Sequence, residues 1–268
     1  MEEFKRTAQR PCIAYMEKGQ GDALIFLHGI GGNRRNWDKE VQYFGEAYHA
    51  VAIDFRGYGD SEGLNDDFEL TDFATDVTRV MDTIGAQRAH IVGLSMGGLV
   101  AQALYSQAPE RVASLSLVAC RAADEPILPP VRREAFIRER LDPLRAGGSE
   151  ALAVSLAPKL LSNAPSAEAR EQVMASLRKI RPDAYFRVME ARMRVPPLLD
   201  PGSISVPALV VGADEDQVAP PEQMRALAAA VPGARLEEIS GAGHLINLEK
   251  PQEFQAALES FLTSLKVQ

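Results

Sequence analysis

Cysteine, excess basic charge and long apolar runs are all scarce in this chain. The 268 residues include only two cysteines, Cys12 and Cys120, so no disulfide framework is indicated and a cytoplasmic compartment is expected. The formal net charge of −8 argues against binding to nucleic acid or to an anionic membrane, because both require basic surfaces. No apolar run approaches the roughly 18 residues of a membrane helix, and the N-terminal stretch MEEFKRTAQRPC lacks the apolar segment of a signal peptide.

Short apolar runs alternate with helical patterns in the two outer parts of the chain. Several of these runs are apolar almost throughout, which is typical of strands buried on both faces of a parallel sheet. Apolar residues at helical spacing predict helices near 70–84, directly after Ser95, near 221–231 and from Pro251 onward. The predicted strands lie at 12–17, 23–28, 49–54, 89–93, 114–119, 207–212 and 234–239.

The middle of the chain differs from the outer parts in its composition and in its apolar pattern. Residues 124–200 are rich in Arg, Ala and Leu, contain several prolines and show helical but no strand patterning. The simplest arrangement is one doubly wound, mostly parallel α/β sheet built from residues 1–123 and 201–268, with a helical cap inserted at 124–200. The predicted cap carries 13 Lys and Arg against 11 Asp and Glu, so it is mildly basic over an acidic body.

The stretch GLSMGG, residues 93–98, places Ser95 between glycines directly after an apolar run. Gly-x-Ser-x-Gly between a strand and a helix is typical of a nucleophile elbow, because Gly93 and Gly97 let the backbone pack against a sharp turn. The sequence therefore predicts that Ser95 presents a reactive hydroxyl at the carboxyl end of a central strand, where open parallel sheets bind their ligands.

A serine nucleophile needs a base, and the chain has four histidines. His49 and His90 lie at strand starts, at the wrong end of the sheet, and a structural role is expected for them. His244 lies in the loop SGAGHLINLEKP between the last strand and the last helix, so it is predicted to be the base. An acid must orient its imidazole, and the loop after the strand at 207–212 supplies three candidates that the residues leave open. They are Asp214, Glu215 and Asp216.

The glycine-rich segment HGIGG, residues 28–32, predicts an oxyanion hole. Its glycines allow a backbone amide to face the site, and the N–H groups of Ile30 and Met96 are the predicted donors, while His28 is expected to shape the loop. No G-K-[ST] follows, which excludes a P-loop. No two histidines share ligand spacing and the cysteines are isolated, so no metal and no cofactor are expected.

Together these motifs resemble the α/β-hydrolase superfamily, in its single-domain form with a helical cap. The matching stretches span nearly the whole chain in the family's order: LHGIGGN…W, DFRGYGDS, GLSMGG, PALVVGADEDQVAP and GAGHLINLEKP. The resemblance implies that Ser95 is the nucleophile, His244 the base and Asp216 the acid. The spacing from Gly212 to Asp216 is one residue longer than the family pattern, which keeps Asp214 and Glu215 open as alternatives.

Within the superfamily the chain is most similar to enol-lactonases and small carboxylesterases, through GLSMGG and the segment PDAYFRVMEARM. The resemblance implies hydrolysis of a small-molecule carboxylic ester or lactone through an acyl-enzyme. Three alternatives that keep the triad stay open: a hydrolase of C–C bonds in vinylogous diketones, a cofactor-free perhydrolase and a ligand receptor with little turnover. The sequence does not distinguish a monomer from a homodimer.

Two residues are predicted to contact the substrate, Arg121 and Trp37. Arg121 directly follows the strand at 114–119, where a guanidinium group would bind a substrate carboxylate through two charge-assisted hydrogen bonds. The substrate is thus expected to be an ester or lactone, with carboxylate-bearing compounds as one option. Four further arginines are weaker candidates for the same contact. They are Arg34 and Arg35 beside the glycine loop, and Arg192 and Arg194 near the end of the cap.

Overall fold

An eight-stranded, mostly parallel sheet forms the centre of the protein in the computed structural model, which describes residues 4–122, 129–194 and 197–266. The strand order is β1-β2-β4-β3-β5-β6-β7-β8; β1 and β2 run antiparallel to their neighbours, and β3 to β8 are parallel. The strands are β1 (Lys5–Arg6), β2 (Ala14–Lys18), β3 (Ala23–Leu27), β4 (His49–Ile53), β5 (Ala89–Leu94), β6 (Val112–Val118), β7 (Ala208–Ala213) and β8 (Arg235–Ile239). This confirms the predicted sheet.

The helices outside the insertion connect these strands and pack against them. Of these, α1, α3, α7 and α9 contact the sheet directly, and α2 packs on α3. They are α1 (Asp38–Phe44), α2 (Asp72–Thr83), α3 (Met96–Gln107), α7 (Pro221–Ala230), α8 (Ile246–Glu249) and α9 (Pro251–Leu265). The helix predicted directly after Ser95 is buried over most of its length, because it lies against β3, β5 and β6 as well as α2.

The inner strands are the ones that their sequence predicted best. All residues of β3 and β7 are buried, and so is nearly all of β5, because each lies between two neighbouring strands under helices. Two elements have no apolar pattern from which the sequence could predict them. β1 is a two-residue exposed edge strand, and α1 is a short helix rich in polar residues.

In the described residues between β6 and β7 the chain forms three α-helices: α4 (Pro130–Leu160), α5 (Ala167–Arg178) and α6 (Pro182–Arg194). In the described part of this insertion, 129–194 and 197–200, no strand joins the sheet. α4 is interrupted at Gly147 and Gly148, whose backbone angles are not helical. The helices share an apolar cluster of their own, against which Ile30 and Leu245 of the core pack. The predicted start of the cap, at residue 124, lies outside the described residues, so its exact boundaries stay a prediction.

The parallel strands bring four loops to one edge of the sheet. β3, β5, β7 and β8 all end at this edge because they run in the same direction. The glycine-rich segment 28–32, Ser95, the acidic loop at 214–216 and the loop carrying His244 directly follow these four strands. The fold thus places every predicted catalytic residue at the edge where ligands bind in such sheets.

Candidate active site

Ser95 lies in a strained turn between β5 and α3. Its φ of 55° and ψ of −113° are rarely adopted by a residue with a side chain. A Cβ atom at Gly97 would overlap with the carbonyl oxygen of Leu27, and one at Gly93 would overlap with Gly97, so only glycine fits at both positions. The Ser95 amide donates to the carbonyl oxygen of Val118 at 2.8 Å, which anchors the turn to β6. Ser95 itself is half-buried, so its hydroxyl is held at the carboxyl edge of the sheet.

His244 and Asp216 form a buried pair. The Nδ1 atom of His244 lies 2.9 Å from Oδ2 of Asp216, and each residue is 3% exposed. The second carboxylate oxygen, Oδ1, accepts hydrogen bonds from the amides of Val218 at 2.7 Å and Ala219 at 3.0 Å. These two donors fix the plane of the carboxylate and direct Oδ2 at the imidazole. A proton on Nδ1 then leaves the lone pair on Nε2, which is the tautomer that a general base requires.

The other two acids of this loop bind elsewhere. Asp214 accepts from the Ser240 hydroxyl at 2.6 Å and from the Gly241 amide at 2.7 Å, and the Ser240 hydrogen bond lowers the pKa of its carboxyl. Glu215 accepts from both the amide and the side chain of Asn163, each at 2.7 Å. Of the three acids that the sequence left open, Asp216 is therefore the one that contacts His244.

Ser95 and His244 line the same narrow cavity, whose volume is about 30 Å³. Its floor comes from the core and its roof from the insertion. The core contributes Gly29, Ile30, Leu94 and Val218, and the insertion contributes Phe136, Arg140, Leu160, Met189 and Arg192. This space holds only one or two water molecules. We therefore expect the insertion to move when a substrate enters.

His28 supports the glycine-rich loop rather than the chemistry. Its Nε2 accepts from the amide of Phe55 at 3.1 Å, so its Nδ1 carries the proton and donates to the carbonyl oxygen of Gly29 at 2.7 Å. Complete burial lowers the pKa of His28 to about 4, so the ring is neutral near pH 7. Ile30 lines the cavity, and Met96 opens α3, so its amide has no carbonyl partner within the helix. The role of these two amides as oxyanion donors stays a prediction.

The loop that carries His244 is hydrogen-bonded to the end of α4. The His244 amide donates to the carbonyl oxygen of Leu160 at 3.0 Å. Glu249 joins the two segments: its Oε1 accepts from the Gly243 amide at 2.8 Å, and its Oε2 accepts from the amide and hydroxyl of Ser162 at 2.9 and 2.6 Å. His244 is thus supported by the same hydrogen bonds that anchor one end of the insertion. Glu249 lies within the motif GAGHLINLEKP, and nothing in the sequence indicates this role.

The two predicted substrate contacts do not line this cavity. Trp37 is 1% exposed, with its ring centroid 5.1 Å from Phe26 and 5.9 Å from Phe254, so the structure corrects its role to packing within the core. Arg121 follows β6 as predicted, and its carbonyl oxygen accepts from the side chain of Gln102 at 3.1 Å. Arg121 is not among the residues that line the cavity, and its contact with the substrate stays a prediction.

The weaker arginine candidates have different environments in the structure. Arg34 is buried and forms ion pairs with Asp54 and, at 2.8 Å, with Asp60, so its charge is already compensated. Arg192 lines the cavity, whereas Arg194 is exposed at the end of α6. Arg140 also lines it and was missed, because a basic residue one helical turn from Phe136 looks like any helix surface in the sequence. No local signal distinguishes it.

Two kinds of site are not found in the described part of the chain. No group of three His, Cys, Asp or Glu residues there is arranged to hold a metal ion. No helix among residues 4–122, 129–194 and 197–266 is long and apolar enough to cross a membrane.

Comparison with known proteins agrees with this architecture. A 3-oxoadipate enol-lactonase of Acinetobacter baylyi is 28% identical over 259 residues, which cover 96% of this chain and 95% of the relative. The structure of an enol-lactonase from Burkholderia xenovorans is 28% identical, with a TM-score of 0.80 over 97% of this chain and all of the other. A thermophilic esterase from Thermogutta terrifontis, solved with malate bound, shares the fold with a TM-score of 0.89 at 24% identity, over 98% of this chain and 99% of the other. The family model for the alpha/beta hydrolase fold matches residues 22–251, and the chain therefore belongs to that family.

Proposed function

We propose that this protein is a serine hydrolase that cleaves a carboxylic ester or lactone of a small molecule. One observation carries the proposal: the strained serine, Ser95, and the imidazole of His244, which Asp216 orients, line a single cavity at the edge of the sheet. The likeness to two enol-lactonases at 28% identity supports the same reaction class.

In the first half of the reaction, Ser95 Oγ attacks the carbonyl carbon of the substrate while His244 Nε2 accepts the hydroxyl proton. The Asp216 carboxylate stabilises the imidazolium that forms. The amides of Ile30 and Met96 bind the negative oxygen of the tetrahedral intermediate. When this intermediate collapses, His244 gives the proton to the departing alkoxide and an acyl-enzyme remains. In a lactone the released alcohol stays attached to the acyl group.

The second half of the reaction uses the same groups on water. His244 Nε2 takes a proton from water, whose oxygen attacks the acyl carbonyl carbon. The second tetrahedral intermediate collapses, Ser95 recovers its proton from His244, and the acid leaves. The mechanism invokes no cofactor and no metal.

The insertion acts in this proposal as a cap, covering residues 124–200 over a core of 1–123 and 201–268. Five of its residues line the cavity, so it selects the substrate, while the core performs the chemistry. The hydrogen bonds that Glu249 accepts from Gly243 and Ser162 hold one end of the cap against the core.

The test combines covalent labelling with turnover. A fluorophosphonate probe should label the wild type at Ser95, and Ser95→Ala should abolish both labelling and hydrolysis, because the triad acts as a unit. Ser106→Ala is the matched control: this serine lies on α3, where its hydroxyl donates to the carbonyl oxygen of Leu198 at 3.0 Å, and its loss should leave both readouts unchanged.

A substrate panel separates the alternatives. Small esters and lactones should be turned over many times. Cleavage of a vinylogous diketone in preference to every ester would replace the proposal with C–C hydrolysis, and preferential acyl transfer to peroxide would replace it with perhydrolysis. Labelling of Ser95 without turnover of any compound would favour a receptor. Activity that survives in Ser95→Ala would refute the assignment of the nucleophile.

A further inference from the structure

Arg140 is a buried cation in the cavity lining. The residue is 8% exposed, and its Nε atom has no hydrogen-bond partner among the described residues. Two other arginines of α4 are paired, Arg138 with Glu134 and Arg145 with Asp142, but both lie on exposed positions. Within the described part of the chain, no carboxylate forms an ion pair with Arg140.

A guanidinium group in this position is costly to the folded protein. Removal of a charge from water is unfavourable unless an opposite charge or a full set of hydrogen bonds replaces the lost solvent. An unpaired buried charge in a cleft therefore indicates a binding site whose ligand supplies the missing partner. Arg140 shares its cavity with Ser95 and His244, so a molecule bound at Ser95 would also face Arg140.

The surroundings of Arg140 hold its guanidinium group in place. The guanidinium carbon lies 4.4 Å from the centroid of the Phe136 ring, which is within the range of a cation–π contact. The guanidinium carbon of Arg192 lies 5.8 Å from the centroid of the same ring. The Tyr185 hydroxyl is buried nearby; its burial raises its pKa, and the two arginines oppose that shift. Two positive groups from two helices of the insertion thus converge on one aromatic ring beside the serine.

We propose that Arg140, with Arg192 beside it, forms a carboxylate subsite, and that the substrate is a small ester or lactone that carries a free carboxylate. This inference rests on the proposed function of Ser95. The planar guanidinium fork of Arg140 matches a carboxylate with two charge-assisted hydrogen bonds. A carboxylate bound in the roof of the cavity directs the scissile carbonyl group toward Ser95 in its floor. Arg121 does not line the cavity, so this proposal assigns the selection of anionic substrates to Arg140 instead.

The kinetic test uses pairs of esters, of which one member carries a free carboxylate and the other does not. Monomethyl succinate, glutarate and adipate are each compared in a pH-stat with the methyl ester of the acid in which a methyl group replaces the free carboxylate. The wild type should prefer the anionic member of at least one pair in kcat/KM. Arg140→Gln should lower that preference by about 10–100-fold, the range expected for a hydrogen bond to a charged group. Arg140→Lys keeps the positive charge but loses the planar guanidinium fork. Its preference for the anionic ester should lie between those of the wild type and Arg140→Gln.

Arg138→Gln is the matched control, because Arg138 lies on the same helix at an exposed position. Its preference ratio should equal that of the wild type. Equal losses on both members of a pair in Arg140→Gln, or a wild type that never prefers the anion, would overturn the subsite while leaving ester hydrolysis by Ser95 intact.

A binding measurement distinguishes failure of the subsite from failure of the proposed function. Glutarate should raise the melting temperature of the wild type and of Ser95→Ala, but not that of Arg140→Gln, because only a folded protein with the subsite gains from the ligand. Without ligand, Arg140→Gln should melt at or above the wild-type temperature, since it no longer buries an unpaired charge. A glutarate shift that persists in Arg140→Gln would refute the subsite. Absence of hydrolysis and of Ser95 labelling, with the Arg140-dependent shift intact, would refute only the hydrolase.

Discussion

The substitution Asp216→Asn tests how the carboxylate controls the imidazole. In the wild type, Oδ1 accepts from the amides of Val218 and Ala219, and Oδ2 accepts from Nδ1 of His244. An asparagine has the same shape but only one acceptor atom. Its oxygen must take the Oδ1 position, because an NH₂ group there would face two donors. The amide nitrogen then lies about where Oδ2 was, close to His244 Nδ1, and donates to it.

The reversed hydrogen bond changes the tautomer of His244. When Nδ1 accepts, the ring proton moves to Nε2, which can no longer take the proton of Ser95. We expect kcat to fall by about 10⁴-fold, as is typical when the acid of a triad is changed to its amide. This loss corresponds to about 5.4 kcal/mol of transition-state stabilisation. The side-chain volume is unchanged, so the melting temperature should stay close to that of the wild type.

Steady-state hydrolysis of a small ester, with circular dichroism to verify folding, measures this loss. Asp214→Asn serves as the control: Asp214 lies in the same loop but accepts from Ser240 and Gly241, so this variant should keep nearly full activity. A folded Asp216→Asn variant within tenfold of the wild-type kcat would show that the orientation argument is wrong. A loss of the same size in Asp214→Asn would show that the loop as a whole, rather than one carboxylate, is responsible.

Three further predictions concern the support of the site. Burial raises the pKa of Glu40 to about 7 from an ordinary value of 4.5, so the folded state holds this proton more tightly than the unfolded state. In urea titrations at several pH values, the stability of the wild type relative to Glu40→Gln should fall by about 3 kcal/mol as pH rises from 4.5 to about 7. The comparison with Glu40→Gln is needed because His28, whose pKa burial lowers to about 4, contributes in the opposite direction in both proteins. A stability difference between the wild type and Glu40→Gln that stays constant across this window would contradict the prediction. Gly97→Ala should lower both the melting temperature and kcat, because its Cβ would overlap with the carbonyl oxygen of Leu27; wild-type values for both would mean that the elbow is not tightly packed. Glu249→Ala leaves the donors of Gly243 and Ser162 without their acceptor and should destabilise the protein by about 1–3 kcal/mol in urea titrations, whereas an unchanged midpoint would show that water replaces the carboxylate.

The sequence by itself determined the sheet and the identity of the elbow. The inner strands are apolar along their whole length because helices and neighbouring strands cover them, and such runs are visible in the sequence. The elbow is a local steric arrangement, since Gly93 and Gly97 are required within two residues of Ser95. The loops that carry the serine, the acid and the histidine then meet, because the parallel strands before them end at the same edge of the sheet.

Only the tertiary structure decided which side chains meet. Asp214, Glu215 and Asp216 are adjacent in the chain, and the choice among them depends on distant partners in the β8 loop and the insertion. The roles of Trp37 and Arg140 depend in the same way on long-range packing. Trp37 lies against Phe254 in the last helix. Arg140 enters the cavity because of how α4 is rotated against its neighbours. The apolar pattern of a helix shows its period but not which element the helix packs against. The positions of Trp37 and Arg140 therefore cannot be predicted from the local sequence.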